Sequence, residues 1–213
     1  MEDVKRSRAR ATHTHRRHTA ATRDRIVGAA RGLMERDGYA RTSIADIAAE
    51  AEVAVQTVYN AVGSKSEVLD AVLEAAATGP DAPRRVPEFM AERGAAVATA
   101  REYVTMLAAW FAEVQPRVAP VMELIREAAG HDQRIAELER ARASQRLHNY
   151  GLAADQLLSR PDARRLPRES IAAVIWSIGH PHTYAQLVGQ EGWTLGEYAA
   201  WVEETLAAAL IEP

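Results

Sequence analysis

Four residues in a short stretch carry side chains suited to reading DNA base edges, Val55, Gln56, Thr57 and Asn60, with Tyr59 lying among them. Glutamine pairs bidentately with adenine, threonine hydrogen-bonds or touches a thymine methyl, and valine makes apolar contact only. The Tyr59 hydroxyl suits a phosphate oxygen. Lys65 follows in the first turn of a further helix, where exposed N–H groups and the helix dipole already attract an anion. Thr42 and Ser43 open the preceding helix and are placed to meet a phosphate in the same way. Residues 43–65 therefore read as two short helices joined by a tight turn, with the second fitted to a major groove.

The elements that must hold these residues follow from apolar spacing and capping signals. Ile26, Ala29, Ala30, Leu33 and Met34 give a first helix from about Thr22 to Asp37, with Gly38 as its C-terminal cap. Ser43 and Asp46 start a second helix with Ile44, Ile47 and Ala48 inward. The chain turns at 51–53, and a third helix covers about Ala54 to Asn60. Ser64 and Glu67 form a capping box for a fourth, striped by Val68, Leu69, Val72 and Leu73.

Gly79, Pro80, Pro83 and Pro87 mark a linker. Helical segments are expected beyond it at roughly 95–115, 117–130, 132–159, 168–190 and 194–211, with a break at Gly179-His180-Pro181. The last opens on a capping box from Thr194 to Glu197. No alternating strand pattern competes, so the expected class is all-α. The domains expected are a basic arm without regular structure (1–20), a helix-turn-helix domain (21–78) and a helical C-terminal domain (79–213).

Charge is distributed unevenly. The chain of 213 residues carries a net −3. Residues 1–25 nevertheless hold eight basic groups against three acidic ones, whereas residues 79–213 hold 14 against 18. A basic end on an acidic body is an electrostatic footprint for phosphates, or else a solvated tail. The arm either enters an adjacent minor groove or attracts phosphates without fixed geometry. With 47% hydrophobic residues the chain can bury a substantial core. The absence of cysteine excludes disulfides, thiolate metal sites and a cysteine nucleophile. No apolar run reaches the ~20 residues of a membrane span. The basic N-terminus has no apolar segment behind it, so no secretory signal is read and the cytoplasm is the expected location. His13, His15 and His18 in the arm, and His180 and His182 flanking Pro181, lack a metal-site pattern, so no metal or cofactor is expected. No Ser-His-Asp or HExxH arrangement and no phosphate loop supports an enzyme.

The stretch from about Arg25 to Leu73 resembles the TetR-type family of bacterial transcriptional regulators. The residues that carry the resemblance are Ile26 to Met34, Gly38-Tyr39, Thr42-Ser43-Ile44 with Ile47-Ala48, Thr57-Val58-Tyr59, and Gly63-Ser64-Lys65 with Leu69. The closing Gly192-Trp193-Thr194, Tyr198 and Trp201 are also similar to many members. Three positions depart from the pattern: Glu52 stands where the turn usually has glycine, Ala54 where Ser or Thr is frequent, and Val62 where an aromatic is common.

The resemblance implies a double-stranded DNA operator, a small-molecule effector and a homodimer through the last two helices. The function expected is a repressor released from its operator by a small molecule. A constitutive DNA-binding or structural homodimer without an inducer is the alternative. Interface lines would be Ile171, Val174, Ile175 and Ile178, then Trp201, Leu206, Ala209 and Leu210, residues equally readable as intramolecular core. An effector pocket would draw on Met106, Trp110, Phe111, Met122, Ile125, His148, Leu152, Trp176 and His180, with the two histidines as its polar contacts.

Overall fold

The computed structural model describes residues 2–79 and 85–212, and of residues 2–18 the backbone alone. It divides into two compact units, 1–72 and 73–213.

The first unit contains α1 (Glu2–Asp37), α2 (Ile44–Glu50), α3 (Val55–Ala61) and the first half of α4 (Lys65–Thr78). Ile26, Ala30, Met34, Ile47, Val58, Val68, Leu69 and Val72 are among its buried side chains, and they lie at the helical spacings expected. Gly38 and Gly63 end α1 and α3 at φ values of 84° and 122°, a conformation that costs glycine nothing. Ser43 caps α2 through a reciprocal pair: the Asp46 N–H donates to its hydroxyl, and the Ser43 N–H donates to the Asp46 carboxylate. The backbone of residues 2–20, expected without regular structure, continues α1. Alanine and arginine favour helix even where no apolar stripe exists. The basic side chains of this arm up to His18 lie outside the described residues.

The second unit is built on α6 (Ala100–Ala129), against which α7 (Gln133–Leu158) and α10 (Leu195–Leu210) pack; α8 (Arg168–Ile178) packs on α7 and α10. Tyr103, Val104, Leu107, Trp110, Phe111, Val114, Val121 and Ile125 form the buried stripe of α6. Thr99 and Glu102 cap its start, and the Asp162 carboxylate accepts the N–H groups of Ala100 at 2.6 Å and Arg101 at 3.2 Å. The expected break at Pro116 is absent: α6 runs through both Pro116 and Pro120. Pro116 denies the Ala112 carbonyl its donor. The Arg117 guanidinium supplies donors nearby, to the carbonyls of Glu113 and Ala76, both at 3.0 Å. Burial on either side of the prolines, from Val114 to Ala119 and Ile125, outweighs the local cost.

Two further differences concern the linker. Pro87 does not break the chain; it sits in the first turn of α5 (Val86–Ala95), where a missing N–H costs nothing. The units divide within α4, between Val72 and Leu73, rather than at Gly79. The break at Gly179-His180-Pro181 is present, followed by α9 (Pro181–Tyr184) and a π-helical turn at Ala185–Gln190. Thr194 and Glu197 cap α10 as expected.

Glu52 adopts φ 52°, the only non-glycine residue among those described with positive φ. Left-handed backbone costs a side-chain-bearing residue about 1 kcal/mol. Glu52→Gly is therefore expected to stabilise the first unit by up to about 1 kcal/mol, less glycine's entropic cost in the unfolded chain. Urea unfolding followed by far-UV circular dichroism checks it. A midpoint that falls on substitution contradicts the strain.

Candidate nucleic-acid interface and ligand cavity

On α3 the side chains at 55, 56, 59 and 60 share one face and Val58 faces the other. Val58 is fully buried. Val55 is 43% and Tyr59 49% exposed, unusual for large apolar groups, and they stand beside exposed Gln56 and Asn60. Gln56 Nε2 donates to Asn60 Oδ1 at 3.0 Å, which holds two base-reading amides together on the surface. Thr57 is half-buried at the edge of this face. Ala54 occupies the N-cap of α3 and provides no side-chain cap, as its type dictates.

The residues flanking α3 differ in what they leave available. Lys65 Nζ sits 4.1 Å from the Tyr39 ring centroid and donates to the Ala40 carbonyl at 3.4 Å. Its ammonium is thereby fixed at the corner between α1 and α2. Ser43 is exposed, but its hydroxyl donates to Asp46 at 2.6 Å. Those hydrogen bonds hold the Asp46 carboxyl below its ordinary range, so a carboxylate already stands at the start of α2. Thr42 corrects the sequence expectation. It is buried at 3% exposure, and its hydroxyl donates to the Gly38 carbonyl at 3.0 Å, closing the end of α1 rather than facing a phosphate.

The second unit holds a cavity of about 210 Å³ whose walls include Trp110, Phe111, Val114, Val118 and Met122. A second cavity of about 230 Å³ shares Trp110, Phe111, Asn149 and Tyr150 with it. Of the expected pocket residues, Trp110, Phe111 and Met122 line the first cavity, and Leu152 lines the second. His180 lines a smaller recess of about 90 Å³ beside Met122 and Arg146. Ile125 is wholly buried core, and Met106 packs against the core. His148 is exposed and lines none of these cavities. Trp176 lines none either; its ring lies 4.9 Å from His180, edge-on.

Sequence reasoning missed the polar wall. Gln115 is 2% exposed, donates Nε2 to the Gly179 carbonyl at 2.7 Å, and leaves Oε1 without a partner. Arg146 Nη2 reaches only the Met122 sulfur, at 3.7 Å, and Nη1 is buried without a partner. Burial pushes the Tyr150 phenol up to about 12. The signal was available on α7, where Arg142, Arg146, Asn149 and Tyr150 recur at helical spacing.

The interface lines also divide. Ile171, Ile175, Leu206 and Leu210 are fully buried within the single chain and belong to its core. Val174, Ile178, Trp201 and Ala209 are half-buried. The inward positions recur one helical turn apart, which leaves the flanking positions as the outer stripe.

His180 is pushed down to about 4, chiefly by burial, then by the Arg146 guanidinium and His182. Its Nδ1 accepts the His182 N–H at 3.1 Å, so the neutral ring is the folded form. The unfolded chain protonates this ring near its ordinary value of 6.5. Its contribution is therefore present above about pH 6.5 and lost as pH falls toward 4. His180→Asn is expected to narrow its stability gap from wild type across that window, in urea melts at each pH. A gap that stays constant contradicts the neutral buried imidazole.

Residues 26–72 match the family of bacterial regulatory proteins described as the tetR family. No curated protein is significantly similar to the chain. Among solved structures, NalD, the secondary repressor of the MexAB-OprM multidrug efflux pump in Pseudomonas aeruginosa, shares 16% identity at a TM-score of 0.71, covering 92% of this chain and 98% of that one. The transcriptional regulator FadR from Bacillus subtilis, in complex with stearoyl-CoA, shares 18% at 0.66, covering 85% and 96%. SmeT in a triclosan complex shares 21% at 0.60, covering 90% and 92%.

Proposed function

We propose that this chain, whose residues 26–72 form a TetR-type DNA-binding domain, is a ligand-responsive repressor that leaves its operator when a small molecule occupies the second unit. The observation that carries the DNA-binding part is the exposed outer face of α3: two large apolar groups and two paired amides stand uncovered on a helix whose opposite side is anchored. Gln56 and Asn60 read base edges, Val55 packs on a thymine methyl, and Tyr59, Ser43 and Lys65 engage phosphates. Thr57 supports the edge of that face.

A homodimer supplies the two recognition helices that two half-sites require. The half-buried Val174, Ile178, Trp201 and Ala209 of α8 and α10 supply its apolar contact. The basic arm strengthens attraction to the duplex through counterion release. Regulation is linkage: an effector that favours a dimer with misplaced recognition helices lowers operator affinity by its differential binding to the two forms. The cavities support a ligand-responsive protein over a constitutive one, whose core would be filled. The relatives in complexes with stearoyl-CoA and triclosan are consistent with the same arrangement.

Gel-shift titration with the DNA flanking the protein's own gene tests this function. Tyr59→Ala and Lys65→Ala are each expected to weaken binding about tenfold, or ~1.4 kcal/mol, with unchanged circular dichroism. If both variants bind like wild type, the α3 face is not the reading surface.

A further inference from the structure

The cavity of the second unit gathers arginine side chains in a part of the chain that is otherwise acidic. Residues 79–213 are acidic in balance. Among the described residues the cavity is lined by Arg85, Arg142 and Arg146 and by the exposed carboxylate of Glu74. Opposite the arginines and the polar Gln145 and Asn149 of α7, the α6 wall is apolar and aromatic except for Gln115, from Trp110 and Phe111 to Val118 and Met122.

Arg146 is the most informative of the three. Its Nη1 is buried without a hydrogen-bond partner, and its Nη2 meets only a thioether, a weak acceptor. A buried guanidinium is stable only when an anion and hydrogen bonds repay its desolvation. Glu139 raises the Arg146 pKa through space, but burial outweighs that effect. Glu123 and Glu139 line the recess that Arg146 borders, but Glu123 pairs with Arg126 and neither carboxylate forms an ion pair with Arg146 among the described residues; Tyr150, Met122 and the neutral His180 carry no negative charge. The chain thus places a cation at the wall of an apolar cavity and leaves the anion to come from outside.

We infer that the effector is an apolar or aromatic carboxylate (or an equivalent monoanion) whose charged end pairs with Arg146 and whose body lies along Trp110, Phe111 and Met122. The pairing is charge-assisted, and the bidentate fork of a guanidinium suits a carboxylate. Gln115 Oε1, held by the bond from Nε2 to Gly179, adds an acceptor for a hydroxyl or N–H on the ligand body. A cationic effector of the same shape is disfavoured by the Arg146 guanidinium, whose Nη1 is buried without a partner. The assignment rests on the ligand-responsive reading of this unit, and deepens it by naming the ligand's charge.

Calorimetry on the full chain without DNA tests the inference, using decanoate, decanol and decyltrimethylammonium as probes with one body and three heads. Decanoate is expected to bind at least tenfold more tightly than decanol, and decyltrimethylammonium least. In Arg146→Gln the decanoate advantage is expected to shrink to within about threefold while decanol binding is retained. Arg146→Lys is expected to keep part of it. The wild-type comparison needs no variant, so the result does not hinge on whether Arg146→Gln folds. Decanol or the cation binding as tightly as decanoate, an advantage that survives Arg146→Gln, or no binding of decanoate overturns the assignment. Operator binding is measured separately by gel shift, so such a failure is distinguishable from failure of the repressor function.

Discussion

A helix of seven residues cannot hold itself in water, because one or two turns of hydrogen bonds do not repay its nucleation. Everything the first unit does depends on solving that problem for α3. The helix has no side-chain cap, since Ala54 stands at its start. It is preceded by Glu52 in a left-handed conformation that costs further free energy. Stability is therefore supplied from one side and one end. Val58 is fully buried, Arg23 donates to the Ala61 carbonyl at 3.1 Å, and the N–H groups of Val62 and Gly63 both return to the Val58 carbonyl. The outer face is then released from any structural duty. That release is why Val55 and Tyr59 stand exposed, and why Gln56 and Asn60 find only each other.

The second unit follows the same logic in a different chemistry. Its central helix tolerates two prolines because burial on both flanks holds it, and the Arg117 side chain serves carbonyls near the first of them. Fully buried side chains on α8 and α10 complete the core. Between α6 and α7 the packing stops short, and the residues at the gap are polar on one side and aromatic on the other. Arg146 and Gln115 each keep a buried polar atom without a partner. Departures from full satisfaction are expected to cluster where a protein binds something else.

The sequence revealed the first unit well because its signals are local. Capping pairs such as Ser43–Asp46 and Ser64–Glu67, and glycines such as Gly38 and Gly63, act within a few residues, and the structure has them where spacing places them. Glu52 was legible only as a departure from the glycine usual in the resembled family's turn, and its positive φ bears the strain that such a departure implies. Thr42 was not legible: a short polar residue before a helix serves equally as a phosphate contact or as a bond to the preceding helix end, and the choice depends on burial. Pro116 and Pro87 were read as breaks, yet one lies inside a helix supported by tertiary packing and the other in a first turn. The cavity was the least legible feature. Its aromatic wall was partly anticipated in Trp110, Phe111 and Met122, but the polar residues that give it character lie on α7 among solvated neighbours. Only the packing of α6 against α7 distinguishes half-buried Arg146, with its Nη1 wholly covered, from exposed Arg140.

The central claim is that the anchored, outward-facing α3 reads DNA as one of a pair. Hydroxyl-radical footprinting on the DNA flanking the protein's own gene tests it most directly. Two protected patches are expected on one side of the duplex, spaced by about one helical turn or a multiple of it, with a near-palindromic sequence centred between them. Protection spread evenly along the fragment, or none at concentrations that saturate the protein's other interactions, would contradict it.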